Sequence, residues 1–346
     1  MRAVGYETSP PDKAVEHLSD LDLPRPLPTG RDLLVRVEAV SINPVDTKQR
    51  GPLDDPGRFP RVLGFDASGV VEAAGDDATL FRPGDAVFYA GAVDRQGSNA
   101  EFQLVDERIV ARKPDRLDFA DAAALPLTAI TAWETLFDRF RIQPDETERG
   151  TLLVIGAAGG VGSIATQLAR QLTALTVIGT ASREETRAFA LEHGCHHVID
   201  HSRPMAPQIA ELGLGPVDYV FALTQTPAHM NDIGALIRPF GELCVIDSAA
   251  LDLAPIRFKS VSLHFEYMFT RPLFQTADMI EQHRLLSEIS RLVDAGRLRS
   301  TRTRTLSPIS AATIREGHAL SETGTMLGKV VVAGWPERED KGASSA

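Results

Sequence analysis

Between Thr151 and Arg170 the chain reads TLLVIGAAGGVGSIATQLAR, an apolar run that meets three spaced glycines and passes directly into a helix-patterned stretch. Few folds accept that order. It predicts a buried parallel strand turning tightly into a helix, with Gly156, Gly159 and Gly162 serving the turn, close backbone approach to a pyrophosphate, and close helix-to-strand packing. The helix start then offers unpaired N–H groups and a positive dipole end to an anion. Gly156, Ala158, Gly159, Gly160, Val161 and Gly162 are therefore the first candidate cofactor-binding residues. A glycine-rich turn that binds nothing is the competing reading.

Which dinucleotide fits is decided about twenty residues on, where a site for NAD would place Asp or Glu against the ribose hydroxyls. The chain has TVIGTASREETR there, with Ala181 at the critical place. Ser182, Arg183 and Arg187 can hold a 2′-phosphate through charge-assisted hydrogen bonds, which predicts NADP(H). Glu184 reaching back to the ribose would instead favour NAD.

Apolar runs and helical patterns alternate from about Pro126 to Thr270, as in a doubly wound parallel sheet. Before them, short β-rich runs (Leu33 to Val40, Gly69 to Ala73, Ala86 to Tyr89, Glu101 to Val105) separated by Pro, Gly, Asn and Asp predict a β barrel or sandwich. After them come helices near His283 to Ala295 and Ser310 to Ser321, a strand at Gly328 to Ala333, and a polar tail. Hydrophobic residues at 43% and charged residues at 24% of 346 suit a folded chain of about two domains. A net charge of −11 opposes nucleic acid and anionic membrane surfaces as partners. Two cysteines, Cys195 and Cys244, no signal pattern and no span of about 18 apolar residues predict a cytoplasmic protein. His193, Cys195, His196, His197 and His201 crowd nine residues, yet neighbours on a strand face opposite ways, so no metal is expected there.

The segments SINPVDTKQRG, VLGFDASGVVEAAG, FRPGDAVFYAG, NAEFQLV, LPLTAITAWETL, GAAGGVGSIATQLAR and GKVVV together resemble the medium-chain dehydrogenase/reductase superfamily over almost the whole chain. Within it the chain is similar to the quinone oxidoreductase branch, and more closely to bacterial zinc-type alcohol dehydrogenase-like proteins. The resemblance implies an α/β chain with a GroES-like β-barrel catalytic domain (1–125 and 271–346) and a Rossmann domain (126–270). Where zinc alcohol dehydrogenases of the superfamily keep metal ligands, this chain has Asn43, Phe65 with Asp66, and Leu127. That set does not make a catalytic zinc site, so no metal is expected.

In a metal-free site the protein must hold an acceptor, polarise its oxygen and supply a proton. The resemblance places Asn43, Asp46 and Lys48 at the catalytic position. Asn43 can donate an amide N–H to a carbonyl or cap its loop, and Asp46 orders the same loop. Lys48 stands where zinc enzymes keep a relay histidine; it relays a proton, clamps the cofactor, or is a solvated charge. The family puts a threonine against the nicotinamide at Thr131, less surely Thr128, and either could equally cap a helix start. His201 can lie over the phosphate side or be a surface histidine. Strand ends add Ala222, Leu223 and Thr224, then Asp247, Ser248 and Ala249. Phe59, Tyr89, Phe265, Tyr267 and Phe269 are candidates for an apolar wall that would suit a quinone or enal. The run SVSLHFEYMF is expected to be an edge strand covered by a second copy, giving a homodimer.

These readings combine into an NADPH-dependent, zinc-independent reductase of a quinone or α,β-unsaturated carbonyl, with no nucleic-acid or membrane partner. The competitors are a zinc-dependent alcohol dehydrogenase and a cofactor-binding regulatory protein with negligible turnover.

Overall fold

A computed structural model describes residues 1–52, 60–144, 149–247 and 249–337. Strand Thr151–Ile155 shows why the glycine turn sits where it does. Its side chains divide by parity: Leu152 and Val154 join one apolar core, Leu153 and Ile155 another, all at most 1% exposed. A strand covered on both faces needs apolar residues at every position, which is what the uninterrupted run supplies.

Six parallel strands build the sheet around it, in the spatial order His197–Ile199, Thr176–Thr180, Thr151–Ile155, Val217–Ala222, Ile237–Val245, Ser262–Phe265. Numbered along the chain that order is 3-2-1-4-5-6, the doubly wound Rossmann arrangement. Its switch point lies between Thr151–Ile155 and Val217–Ala222. A ligand crevice is therefore expected at their carboxyl ends, where the glycine turn begins.

A second, seven-stranded sheet forms the GroES-like part. Asp32–Ser41 is its spine, paired along one edge with Asp66–Ala74 and along the other with Phe102–Asp106 and the late strand Lys329–Ala333. The chain's last strand thus returns to the sheet of its beginning. On the way it touches the glycine turn, because Gly328 N–H donates to Ala158 O at 2.9 Å. Two early β runs extend a residue or more beyond their expected limits, to Asp32–Ser41 and Asp66–Ala74, Phe102–Asp106 is shifted one residue along, and Ala86–Tyr89 coincides.

Two expectations are corrected. Tyr89 is 0% exposed inside the β-sheet core, so it is no wall residue: its strand position turns the ring inward. Neither threonine caps a helix start. Pro126, with its fixed φ, begins the helix Pro126–Trp133, and Thr128 and Thr131 lie inside it, each hydroxyl donating to a backbone carbonyl three or four residues back.

Helix Ala311–Glu322 buries His318 completely, with neither ring nitrogen paired to a group among the described residues. Burial, then the Arg50 charge, pushes the imidazole down to about 4. Between that value and the unfolded histidine's ordinary 6.5 or so, the unfolded chain binds the extra proton, so stability rises with pH. Acidification from pH 7 to 4 is expected to remove about 3 kcal/mol through this residue. His318→Leu should flatten that limb in urea unfolding run at several pH values; an unchanged slope would assign acid sensitivity elsewhere.

Candidate active site

The glycine turn is held from three sides. Gly156 has φ +90°, a conformation that L side chains rarely adopt. Its N–H donates to Thr180 Oγ1 at 3.1 Å, and the same hydroxyl lies 3.1 Å from His201 Nδ1. His201 is thereby tied to the first glycine through one side chain. Thr224 and Leu223 close the other side, 3.3 and 3.7 Å from where a Cβ on Gly156 would stand. Gly162 has no such room: a Cβ would fall 2.4 Å from Gly156 O and 2.7 Å from Ala157 Cα. Gly159 differs. Among the described residues a Cβ there would have only Gly156 O within 4 Å, at 3.5 Å, so open space stands above it. An open cradle at the start of the helix Gly160–Leu172 fits the diphosphate of a dinucleotide. Gly160 borders the second half of the site, because its Cβ would stand 2.8 Å from Lys329 Cδ. Val161 is half-buried against the core below.

At the end of the second strand, Ala181 is buried and Ser182 exposed. Arg183 Nη2 donates to Thr325 O at 2.8 Å and pairs with Glu185, while its side chain stays 45% exposed. Arg187 is less free: its guanidinium donates to Ala181 O and Val198 O, bracing the strand ends. Asp247 Oδ2 accepts from Thr226 N at 2.9 Å. Ser248 and Phe59 lie outside the described residues.

Opposite the turn stands a buried charge network that sequence reading missed. Lys329, 2% exposed, donates from Nζ to Ile42 O at 2.9 Å, to Asp66 Oδ2 at 3.1 Å and to Asn43 Oδ1. Asp66 also accepts from Asn43 Nδ2 at 2.9 Å and from Leu127 N at 2.7 Å. Asn43 Nδ2 also reaches Ser41 O at 3.2 Å, so both its amide hydrogens are engaged within the protein. Asp46 Oδ2 accepts from Asn43 N at 2.6 Å, which orders the loop at the start of the helix Pro44–Lys48. Burial pushes the Asp46 carboxyl up to about 7, and pushes Asp66 up against the pull of Lys329 and its N–H donors. Lys48 is exposed on the same short helix, its backbone carbonyl 3.4 Å from Lys13 Nζ.

Two of the three ligand positions that the zinc comparison singled out, Asn43 and Leu127, therefore donate to the carboxylate of Asp66, the neighbour of the third, Phe65, and the cation of that carboxylate is an ammonium. An amide, a phenylalanine and a leucine do not suit zinc, and the carboxylate beside them already holds three donors. Among the described residues no group of three His, Cys, Asp or Glu is placed to hold a metal ion. The histidine-rich run disperses: His193 Nδ1 meets Phe189 O, His196 Nδ1 accepts from Val177 N, and Cys195 is a buried thiol.

Beside the network lies an aromatic wall. The rings of Phe65 and Phe269 are 4.7 Å apart, and Tyr267 lies 5.4 Å from Phe269. Phe269 is buried, Tyr267 is 44% exposed, and Phe265 points outward from the sheet's edge at 65% exposure.

A 3-2-1-4-5-6 sheet with an open glycine cradle, facing a β-sheet part that carries a polar site, defines an oxidoreductase using a nicotinamide cofactor. Comparison with known proteins gives its family. Residues 29–115 match the alcohol dehydrogenase GroES-like domain, and residues 160–281 match the zinc-binding dehydrogenase domain. A zinc-type alcohol dehydrogenase-like protein of Staphylococcus aureus (strain MSSA476) is 44% identical over 312 residues, 89% of this chain and 92% of the relative. Human quinone oxidoreductase is 36% identical over 181 residues, 52% of this chain and 53% of that protein. A crystal structure from Rhizobium etli CFN 42, proposed to be a zinc-dependent alcohol dehydrogenase, shares 54% identity, covers 97% of this chain and 99% of its own, and superposes with a TM-score of 0.92. The chain belongs to the medium-chain dehydrogenase/reductase superfamily, among the zinc-type alcohol dehydrogenase-like proteins. No helix among the described residues is long and apolar enough to cross a membrane.

Proposed function

We propose that the chain is an NADPH-dependent, zinc-independent reductase that acts on a quinone or an α,β-unsaturated carbonyl in the cytoplasm. The observation that carries this reading is the Lys329–Asp66–Asn43 network. A buried ammonium bonded to Asn43 and to Asp66, beside positions that the resemblance assigns to zinc ligands, supports a site built without a metal. The 36% identity to human quinone oxidoreductase over 52% of this chain and the apolar wall at Phe65, Phe269 and Tyr267 support a flat, conjugated acceptor.

The nicotinamide would supply a hydride. The cofactor's diphosphate would rest on Gly156, Ala158, Gly159, Gly160, Val161 and Gly162, with His201, Leu223, Thr224 and Ser248 around it. Thr131, buried beyond Leu127 on the same helix, would face the nicotinamide with its acceptor lone pairs, its proton being donated to Leu127 O. Ser182 and Arg183 would take the 2′-phosphate, Arg187 holding the strand end they rise from; the absence of a carboxylate at Ala181 supports NADP over NAD. Asn43 and Asp46 would keep the loop and the ammonium in register, and Lys48, exposed, would exchange a proton with solvent.

The two structural units would be 1–125 with 271–346, and 126–270. A homodimer is part of the proposal: the edge strand Ser262–Phe265 pairs only with Ile237–Val245 among the described residues. Phe240, Phe258 and Phe265 stand around that edge at 72, 91 and 65% exposure. Such an edge calls for cover.

Following nicotinamide absorbance with NADPH or NADH and a panel of quinones and enones, with and without a chelator, tests the proposal. Oxidation of NADPH that survives the chelator, with NADH at least tenfold poorer in kcat/KM, is expected. Turnover that needs added zinc would restore the alcohol dehydrogenase reading, and tight NADPH binding without turnover on any acceptor the regulatory one.

A further inference from the structure

The helix that carries Thr131 does not end regularly. After Trp133 it continues as a π-helical turn, Glu134–Arg139, and Phe140 N–H donates to Thr135 O five residues back. On an α-helix, residues five apart stand about 140° round the axis. The wider i→i+5 winding brings them close to one side. Glu134 and Arg139 consequently both face the segment from Glu266 to Arg271, which itself carries a carboxylate and a guanidinium five residues apart.

The contacts cross. Arg271 Nη1 donates to Glu134 Oε1, and Arg139 Nε donates to Glu266 Oε2 at 2.8 Å. Both carboxyl groups are out of solvent, their side chains 1% and 0% exposed. Arg271 is tied further to Asp138 Oδ2 at 3.0 Å and Asp278 Oδ2 at 3.1 Å, and Gln282 Nε2 donates to Met268 O at 2.6 Å. Burial, together with the neighbouring Glu134, pushes the Glu266 carboxyl up to about 9. At neutral pH the Glu266 carboxyl thus keeps its proton, while Glu134 Oε1 accepts from the Arg271 guanidinium. None of these four residues belongs to the site described above. Between the two ends of the clamped segment, however, lie Phe269, whose ring packs on Phe65, and Tyr267, whose ring packs on Phe269.

We infer that the crossed contacts Glu134–Arg271 and Arg139–Glu266 form a clamp that positions the aromatic wall of the acceptor site. Its four residues are positioning residues for acceptor affinity and leave the cofactor cradle alone. Met268 and Phe269 hang between two anchored ends, so loosening either end moves the Phe269 ring relative to Phe65. The cofactor side is insulated, because Leu127 and Thr131 are held upstream by Asp66 and by regular helix. The inference rests on the acceptor reading of that wall.

Calorimetric binding of 1,4-naphthoquinone, and in parallel 2-cyclohexenone, to the NADP⁺ complex tests it without turnover, alongside NADPH binding. Arg271→Met is expected to raise the acceptor Kd at least tenfold with the NADPH Kd within twofold, and Arg271→Lys to recover part of the loss. Glu266→Gln, which replaces an already neutral carboxyl, should stay near wild type, whereas Glu134→Gln should behave like Arg271→Met. Equal acceptor affinity in wild type and Arg271→Met, or a joint fall in acceptor and cofactor affinity, overturns the clamp's role. So does a wild type that binds neither acceptor. A wild type that binds them and discriminates among these variants, yet oxidises no NADPH, counts against the reductase reading alone.

Discussion

Lys329→Met is expected to destabilise the chain by about 3–5 kcal/mol, the cost typical of breaking a buried ion pair by removing one partner. The methionine keeps the length of the stem and removes only the ammonium. Asp66, with its side chain 0% exposed, then keeps Asn43 Nδ2 and Leu127 N but has no counter-charge. Its carboxyl must either stay charged in a dry site or take up a proton. A carboxyl whose folded-state pKa is raised contributes stability that is present below the unfolded value near 3.9 and lost as pH rises through the folded one. The defect should therefore be larger at pH 8 than at pH 5. Lys329→Met combined with Asp66→Asn removes both charges and should recover much of the loss, with a coupling energy of at least about 2 kcal/mol in a double-mutant cycle. Urea unfolding of the four proteins at the two pH values decides the matter. Additive losses, or a defect independent of pH, would mean that Asp66 and Lys329 do not act as a pair.

That pair also shows what a sequence conceals. The glycine turn was legible because its meaning is local: strand, turn and helix follow one another within twenty residues, and each glycine answers to its neighbours. The layers were legible for the same reason, since Leu152 to Ile155 advertise a strand buried on both faces. Lys329 lies 263 residues from Asp66, inside the segment GKVVV that reads only as a closing strand. Nothing in that segment announces a partner. In sequence Asp66 reads only as the neighbour of a lost zinc ligand, Phe65, and Asn43 as an amide donor or a loop cap, because a one-dimensional comparison asks what sits at a position and not what reaches it. The sole available signal was chemical: a lysine starting an apolar strand beside a glycine needs a counter-charge once buried. Tyr89 was misjudged from the opposite side, as an aromatic near a site-bearing loop whose strand parity in fact turns it into the core. The link from His201 through Thr180 to Gly156 likewise depends on strand ends that only the folded sheet brings level.

The sharpest test of the cradle separates two glycines that look equivalent in the motif. Gly162→Ala places a methyl 2.4 Å from Gly156 O and 2.7 Å from Ala157 Cα, both backbone, so the helix must back away from the strand. Overpacking of this kind typically costs 1–3 kcal/mol. A lower Tm and a loss of nicotinamide binding should appear together. Gly159→Ala meets nothing inside the protein closer than Gly156 O at 3.5 Å, and Gly159 sits at the helix start with an extended backbone that alanine adopts freely. Its Tm should stay within a few degrees of wild type. The methyl nevertheless projects into the space where a diphosphate would approach the backbone, so NADPH affinity is expected to fall at least tenfold. Thermal unfolding without ligand, paired with equilibrium binding of NADPH, reads both effects independently. Gly159→Ala that binds NADPH as wild type does would remove the cradle from above this turn, and with it the placement of the cofactor. Gly159→Ala that loses stability and affinity in proportion would mean that the open space belongs to the packing of the turn. A loss of affinity without a loss of stability is the signature of a surface shaped for something the chain itself does not supply.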